Sequence, residues 1–179
     1  MFILVTGGAA SGKSQHAERL LCERAREGSR LYLATMQPFG AEAQARMLRH
    51  HALRAGKGFQ TVERYTDLAH VELPEKMYGG ILLECMSTLL ANEIFSPDGA
   101  GENAVSAILQ AVDSLYPCYC QTLVVVTNEI FSDGIEYPAQ TMQYMKQLAQ
   151  LNAVLAQKAD VVVHSVCGIL LPLKGADLL

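Results

Sequence analysis

The chain has 179 residues, half of them apolar, with 14 Lys and Arg against 18 Asp and Glu and a formal net charge of −4. That length suits one domain, 1–179, able to bury a full core without disulfide or metal staples. No Lys/Arg run exceeds isolated residues and no apolar run approaches the ~18 residues of a membrane span, which argues against nucleic acid or a bilayer as partner.

The first predicted element is the β-type run 2–6, Phe-Ile-Leu-Val-Thr, which lacks the basic segment of a secretory signal; the protein is expected in the cytoplasm. Directly after it, Gly7-Gly8-Ala9-Ala10-Ser11-Gly12-Lys13-Ser14 matches the phosphate-loop pattern G-x-x-x-x-G-K-(S/T). Small residues let backbone N–H groups curl round phosphate oxygens, Lys13 bridges the outer phosphates, and the Ser14 hydroxyl suits Mg²⁺. A glycine-rich turn that merely starts a helix would show the same eight letters. The preceding strand and the uninterrupted helical stretch 14–27 favour nucleotide binding.

A second strand, 30–34, closes on Ala34-Thr35-Met36, and a loop at 36–40 leads to a helical stretch at 41–53. Arg46, His50 and Arg54 fall four apart and share one helical face, with His51 alongside His50. From spacing alone, a solvated basic helix with two surface histidines is the readier reading. The chemical alternative is a neutral imidazole: nearby cations disfavour imidazolium, and the same guanidinium groups neutralise phosphate oxygens.

After a turn at 56–58 and an ambiguous strand at 60–64, the run 80–83 ends at Glu84 and passes into a helix at 86–95. A Pro/Gly-rich loop at 96–101 and a helix at 102–115 precede the strand 122–127, which Asn128 and Glu129 follow. A loop at 132–134, a helix at 139–158, a strand at 160–166 and an ambiguous segment at 169–174 complete the chain. Strands alternating with helices imply an α/β fold with a mostly parallel sheet covered on both faces, and ligands at the carboxyl ends of its strands. Glu84 and Glu129 both stand at that rim. Either serves as the acid on the Mg²⁺ side, or simply as an acid favoured near a helix N-terminus. Glu84 is preferred because helix 86–95 begins at once beside the phosphate site. His16, one turn past Lys13, reads as a helix-surface or packing residue, His70 and His164 have no partners at useful spacing, and Cys118-Tyr119-Cys120 lacks the second pair that a metal site needs.

Taken in order, these pieces resemble one family. Gly7 to Ser14, Ala34-Thr35, Arg46-x-x-x-His50-x-x-x-Arg54, Leu83-Glu84-Cys85, Thr127-Asn128-Glu129, and Gly168 with Leu173-Lys174-Gly175 are similar to adenosylcobinamide kinase/adenosylcobinamide-phosphate guanylyltransferases. The resemblance implies a P-loop NTPase of RecA-like type and two reactions. A nucleoside triphosphate, ATP or GTP, phosphorylates adenosylcobinamide. GMP then passes from GTP to adenosylcobinamide phosphate through a guanylylated histidine, giving adenosylcobinamide-GDP. By position it implies His50 as nucleophile, with Lys13 catalytic, and nucleotide contacts at the Gly7–Ser14 loop, Ala34, Thr35, Met36, His51, Ala52, Leu53, Arg54, Glu63 and Glu84. It also implies Mg²⁺ at Ser14 and Glu84, and a homotrimer. The segment 130–138 is longer than the glycine-rich family version, and corrinoid contacts are left unassigned. The rival expectations are a single-activity P-loop small-molecule kinase, which would not need His50, and a nucleotide-binding switch, for which the guanine-specificity motif N-K-x-D is missing.

Overall fold

The computed structural model describes residues 1–38, 40, 45, 48, 52 and 54–179. Its centre is one seven-stranded sheet, and the alternation of side chains along the strands explains how that sheet is covered. In β1 (Phe2–Gly7), Phe2 and Leu4 point to one face while Ile3 and Val5 point to the other. The same period of two runs through β2 (Arg30–Ala34), β4 (Tyr78–Glu84) and β5 (Cys120–Val126): Leu31, Leu33, Ile81, Leu83, Leu123 and Val125 face the first side, Tyr32, Leu82, Val124 and Val126 the second. Strands this apolar on both faces must be interior strands of a two-sided sheet.

Helix α1 (Lys13–Arg24) packs Ala17, Leu20 and Leu21 on the second face. The other three described helices, α2 (Met86–Phe95), α3 (Ala104–Leu115) and α4 (Ala139–Lys158), cover the first with Leu89, Leu90, Ile108, Val112, Leu148, Leu151 and Leu155. Burying such side chains contributes about 1.5–3 kcal/mol each, so these two layers dominate folding.

The strand order is β3-β2-β4-β5-β1-β6-β7, parallel throughout except for the pairing of β6 (Val161–Val166) with β7 (Ile169–Lys174). The mostly parallel sheet with helices on both faces is therefore as expected. Both ambiguous segments are strands, β3 (Phe59–Glu63) and β7, and both lie at the sheet's edges. Their exposure is the reason for the weak signal, since an edge strand lacks the doubly buried apolar run. The first helix stops at Arg24 rather than at 27, because the chain turns through Gly28 at φ 104 to enter β2. The helix expected from 102 starts at Ala104, after a single 3₁₀ turn at Gly101–Asn103. Most of the expected helix at 41–53, including Arg46, His50, His51 and Leu53, lies outside the described residues. No helix among the described residues is long and apolar enough to cross a membrane.

Candidate functional site

Because β1 to β5 run parallel, Gly7, Ala34, Glu63, Glu84 and Val126 all end at one rim of the sheet. The phosphate loop leaves β1 there. A Cβ on Gly7 would stand 2.6 Å from both Ser11 Oγ and the Ser165 carbonyl, so only glycine fits where the loop starts. Gly12, at φ 92, turns the chain into α1, whose first N–H groups then face the loop. Lys13 Nζ donates to the Gly8 carbonyl at 2.8 Å, which folds the ammonium back over the loop.

Ser14 Oγ, in the first turn of α1, donates to Glu84 Oε1 at the end of β4. The other carboxylate oxygen accepts from the Tyr32 hydroxyl at 3.2 Å, and the Arg54 guanidinium lies 3.3 Å from the centre of the Tyr32 ring. Glu84 and Arg54 are both buried. Burial and the neighbouring Glu84 carboxylate push the Tyr32 phenol well above its ordinary range, so it remains a donor. Ser14, Glu84, Tyr32 and Arg54 thus form one connected chain across β4 and β2, with the arginine stacked as a cation on an aromatic face.

Thr35 and Asn92 hold this rim in place. The buried Thr35 hydroxyl donates to the Glu84 carbonyl at 2.9 Å and accepts from the Cys85 N–H at 2.8 Å, tying the end of β2 to the end of β4. Asn92 Nδ2, from α2, donates to the carbonyls of Thr35 at 2.8 Å and Tyr65 at 2.9 Å. On the far side, the Ser11 carbonyl accepts from Ser165 Oγ at 2.7 Å and from the Gly168 N–H at 3.0 Å. The β6–β7 turn therefore supports the phosphate loop from behind.

The two rim carboxylates differ. Glu84 reaches Ser14, whereas Glu129 Oε1 accepts from the Phe131 N–H at 3.0 Å and Ser132 Oγ at 2.8 Å, within its own loop. Two hard oxygen ligands, the Ser14 hydroxyl and the Glu84 carboxylate, are therefore adjacent, the donor set that Mg²⁺ takes. Among the described residues no group of three or more His, Cys, Asp or Glu is placed to hold a metal ion.

Of the residues singled out in the sequence, Gly7–Ser14, Thr35, Arg54 and Glu84 come together. Ala34 and Met36 flank Thr35 at the end of β2, and Ala52 is helical and exposed, two residues before Arg54. Glu63 stands apart, accepting from the Tyr65 hydroxyl at 2.6 Å at the end of the edge strand β3. His50, His51 and Leu53 lie outside the described residues. Sequence reasoning missed Tyr32, Asn92 and Ser165. Tyr32 had one available signal, a polar-tipped aromatic ring alternating with leucines in a strand expected to be buried on both faces.

The sequence model of the family described as "Cobinamide kinase / cobinamide phosphate guanyltransferase" matches residues 3–173. The bifunctional adenosylcobalamin biosynthesis protein CobU of Escherichia coli K12 is 33% identical over 97% of this chain and 100% of its own length. Its namesake in Salmonella typhimurium LT2 is 34% identical over 97% and 100%. Among solved structures, a prototypical ATPase from the type III secretion system of pathogenic bacteria aligns with TM-score 0.53 at 11% identity, covering 91% of this chain and 50% of the ATPase. That last likeness shows the fold alone.

Proposed function

Since the chain belongs to the cobinamide kinase / cobinamide phosphate guanyltransferase family, we propose that it performs two successive transfers at the rim of its sheet. In the first, a nucleoside triphosphate phosphorylates adenosylcobinamide on its aminopropanol hydroxyl. In the second, GMP from GTP is transferred to adenosylcobinamide phosphate, releasing pyrophosphate and giving adenosylcobinamide-GDP. The observation that carries this reading is the phosphate loop after β1 with Ser14 joined to Glu84 at the end of β4.

The loop amides and Lys13 hold the phosphates, and positioning with charge neutralisation carries most of the phosphoryl transfer. Mg²⁺ bound by Ser14 and Glu84 supplies further neutralisation of phosphate charge. For guanylyl transfer, His50 is the nucleophile. Its neutral imidazole attacks the α-phosphorus, the bond to the bridging oxygen breaks, and pyrophosphate departs with the electron pair. The resulting phosphoramidate passes GMP to an oxygen of the acceptor phosphate and the imidazole is regenerated. Arg46 and Arg54, four residues to either side of His50, keep the ring neutral and offset phosphate charge. Arg54 stacked on Tyr32 supports this, because it sets a guanidinium beside the Ser14–Glu84 pair.

ATP and GTP are the nucleotide substrates, with His51, Ala52, Leu53, Glu63 and the segment Ala34 to Met36 contributing to nucleotide recognition. The protein acts in the cytoplasm as a homotrimer, without nucleic acid. Self-association is supported by Ile169, Leu171 and Leu173, which alternate along the edge strand β7 and are all exposed. A single-activity kinase gains no support, because the matching family is described by both activities. The test is to incubate purified protein with adenosylcobinamide, Mg²⁺ and GTP and separate the products: adenosylcobinamide phosphate followed by adenosylcobinamide-GDP is expected, and accumulation of the phosphate alone would leave only a kinase.

A further inference from the structure

A groove of ≈ 610 Å³ opens between the segment after β5 and the first turns of α4, and Ala9 of the phosphate loop forms part of its wall. Its sides mix Ile130, Tyr137, Tyr144 and Met145 with the carboxylates of Glu129 and Asp133, and no Lys or Arg lines it among the described residues. Past Tyr144 it continues along α4 into smaller hollows lined by Gln140, Gln143 and Gln147. The Tyr144 ring is braced against Phe95 at 6.4 Å and its hydroxyl donates to the Ser87 carbonyl at 2.9 Å, so this wall is fixed in place.

Glu129 stands where the groove meets the phosphate loop. Its N–H donates to the Gly7 carbonyl at 3.0 Å, which fixes its backbone against the first residue of the loop. Two donors orient its Oε1, and Oε2 has no partner among the described residues.

We propose that this groove holds the corrinoid acceptor, and that Glu129 takes the proton of the acceptor hydroxyl in the phosphorylation step. The inference rests on the kinase half of the function proposed above. The acceptor hydroxyl oxygen attacks the γ-phosphorus, forming the new P–O bond. The bond from that phosphorus to the β,γ-bridging oxygen breaks, the nucleoside diphosphate leaves with the electron pair, and the hydroxyl proton passes to Glu129 Oε2. The occupant's chemistry suits the walls. A corrinoid is a broad, flat, cobalt-centred cation fringed with carboxamides; the groove offers aromatic faces, glutamine amides and carboxylates, with no competing cation among the described residues. In guanylyl transfer the acceptor is already a phosphate with no hydroxyl proton to remove, so the groove is needed twice and Glu129 once.

That asymmetry supplies the test, made on the full chain with Glu129→Gln, Thr141→Trp and Tyr137→Ala. Glu129→Gln is expected to lower kcat for adenosylcobinamide phosphorylation by about 10²-fold or more, the usual scale of general-base loss. With pre-formed adenosylcobinamide phosphate and GTP the same variant should lose some corrinoid affinity, read as a higher KM, but keep kcat within about threefold of wild type, which also shows that it folds. Thr141→Trp, which fills the groove, and Tyr137→Ala, which removes one wall, should each raise KM for both corrinoids about tenfold with KM for GTP unchanged. Undiminished phosphorylation by Glu129→Gln, or an equal loss of both steps, would overturn the proton acceptor. Unchanged corrinoid KM in both groove variants would overturn the site. Wild-type protein that leaves adenosylcobinamide unphosphorylated would overturn the function on which both rest, a result separable from the others because it needs no variant.

Discussion

The two halves of the rim are built to opposite standards. Over β2, β4 and β1 the polar groups are buried or half-buried and bonded to one another: Ser14 to Glu84, Glu84 to Tyr32, Tyr32 beneath Arg54, Thr35 across to Cys85. Beyond β5 the segment carrying Glu129 to Pro138 is mainly exposed, its side-chain bonds are to near neighbours, and it borders an open groove. A nucleotide has a fixed phosphate geometry that preorganised donors match in advance. A bulky acceptor needs room and a few orienting groups, which is what the second half offers. On the proposed function, the preformed half serves the nucleotide and the open half its acceptor.

The largest effect should come from Lys13→Ala, which strikes the half that both reactions share. Phosphorylation and guanylyl transfer should each fall by about 10³-fold, on the scale of removing a group that stabilises transferring phosphate charge. Steady-state rates of the two half-reactions, measured separately, check it. Retention of either one would mean that the halves do not share a nucleotide site.

Glu84→Ala sharpens the contrast with Glu129→Gln. It removes the acceptor of both the Ser14 and the Tyr32 hydroxyls. A cost of about 1–3 kcal/mol is expected in urea denaturation from the donors left behind. Both activities should fall, with a higher Mg²⁺ requirement, whereas Glu129→Gln spares one of them. Matching profiles for the two variants would erase the distinction between the halves.

Arg54→Lys should have a smaller effect. It keeps the charge and loses the flat stack on Tyr32, for which about 1–2 kcal/mol is expected, read as an increase in KM for GTP with corrinoid KM unchanged. Smallest is Ser165→Ala, which deletes one hydrogen bond to the back of the phosphate loop and should lower stability by about 1 kcal/mol, read as a shift in the urea midpoint at constant slope.

The preformed half was also the legible half. An eight-residue loop with a strand before it and a helix after it is local information, and the parallel strands place Glu84 and Thr35 beside it by register alone. The interior strands were readable because burial on both faces leaves an unbroken apolar run. Edge strands β3 and β7 were ambiguous because exposure removes that signal. What sequence could not give was contact over long separations: Arg54 on Tyr32, Asn92 on Thr35 and Tyr65, Ser165 on Ser11. Neither could it separate Glu84 from Glu129, since both are glutamates that follow an apolar strand. Their different hydrogen-bond partners favour Glu84 as the metal-side acid and leave Glu129 for the acceptor.

The central claim is that one histidine carries GMP between the two halves. It is tested most directly by incubating wild-type protein, His50→Ala and His51→Ala with Mg²⁺ and GTP labelled at the α-phosphate, denaturing, and measuring acid-labile, base-stable label on the chain. The account predicts label on wild type and His51→Ala and none on His50→Ala. Label retained by His50→Ala, or none on wild-type protein shown to bind GTP, would contradict it.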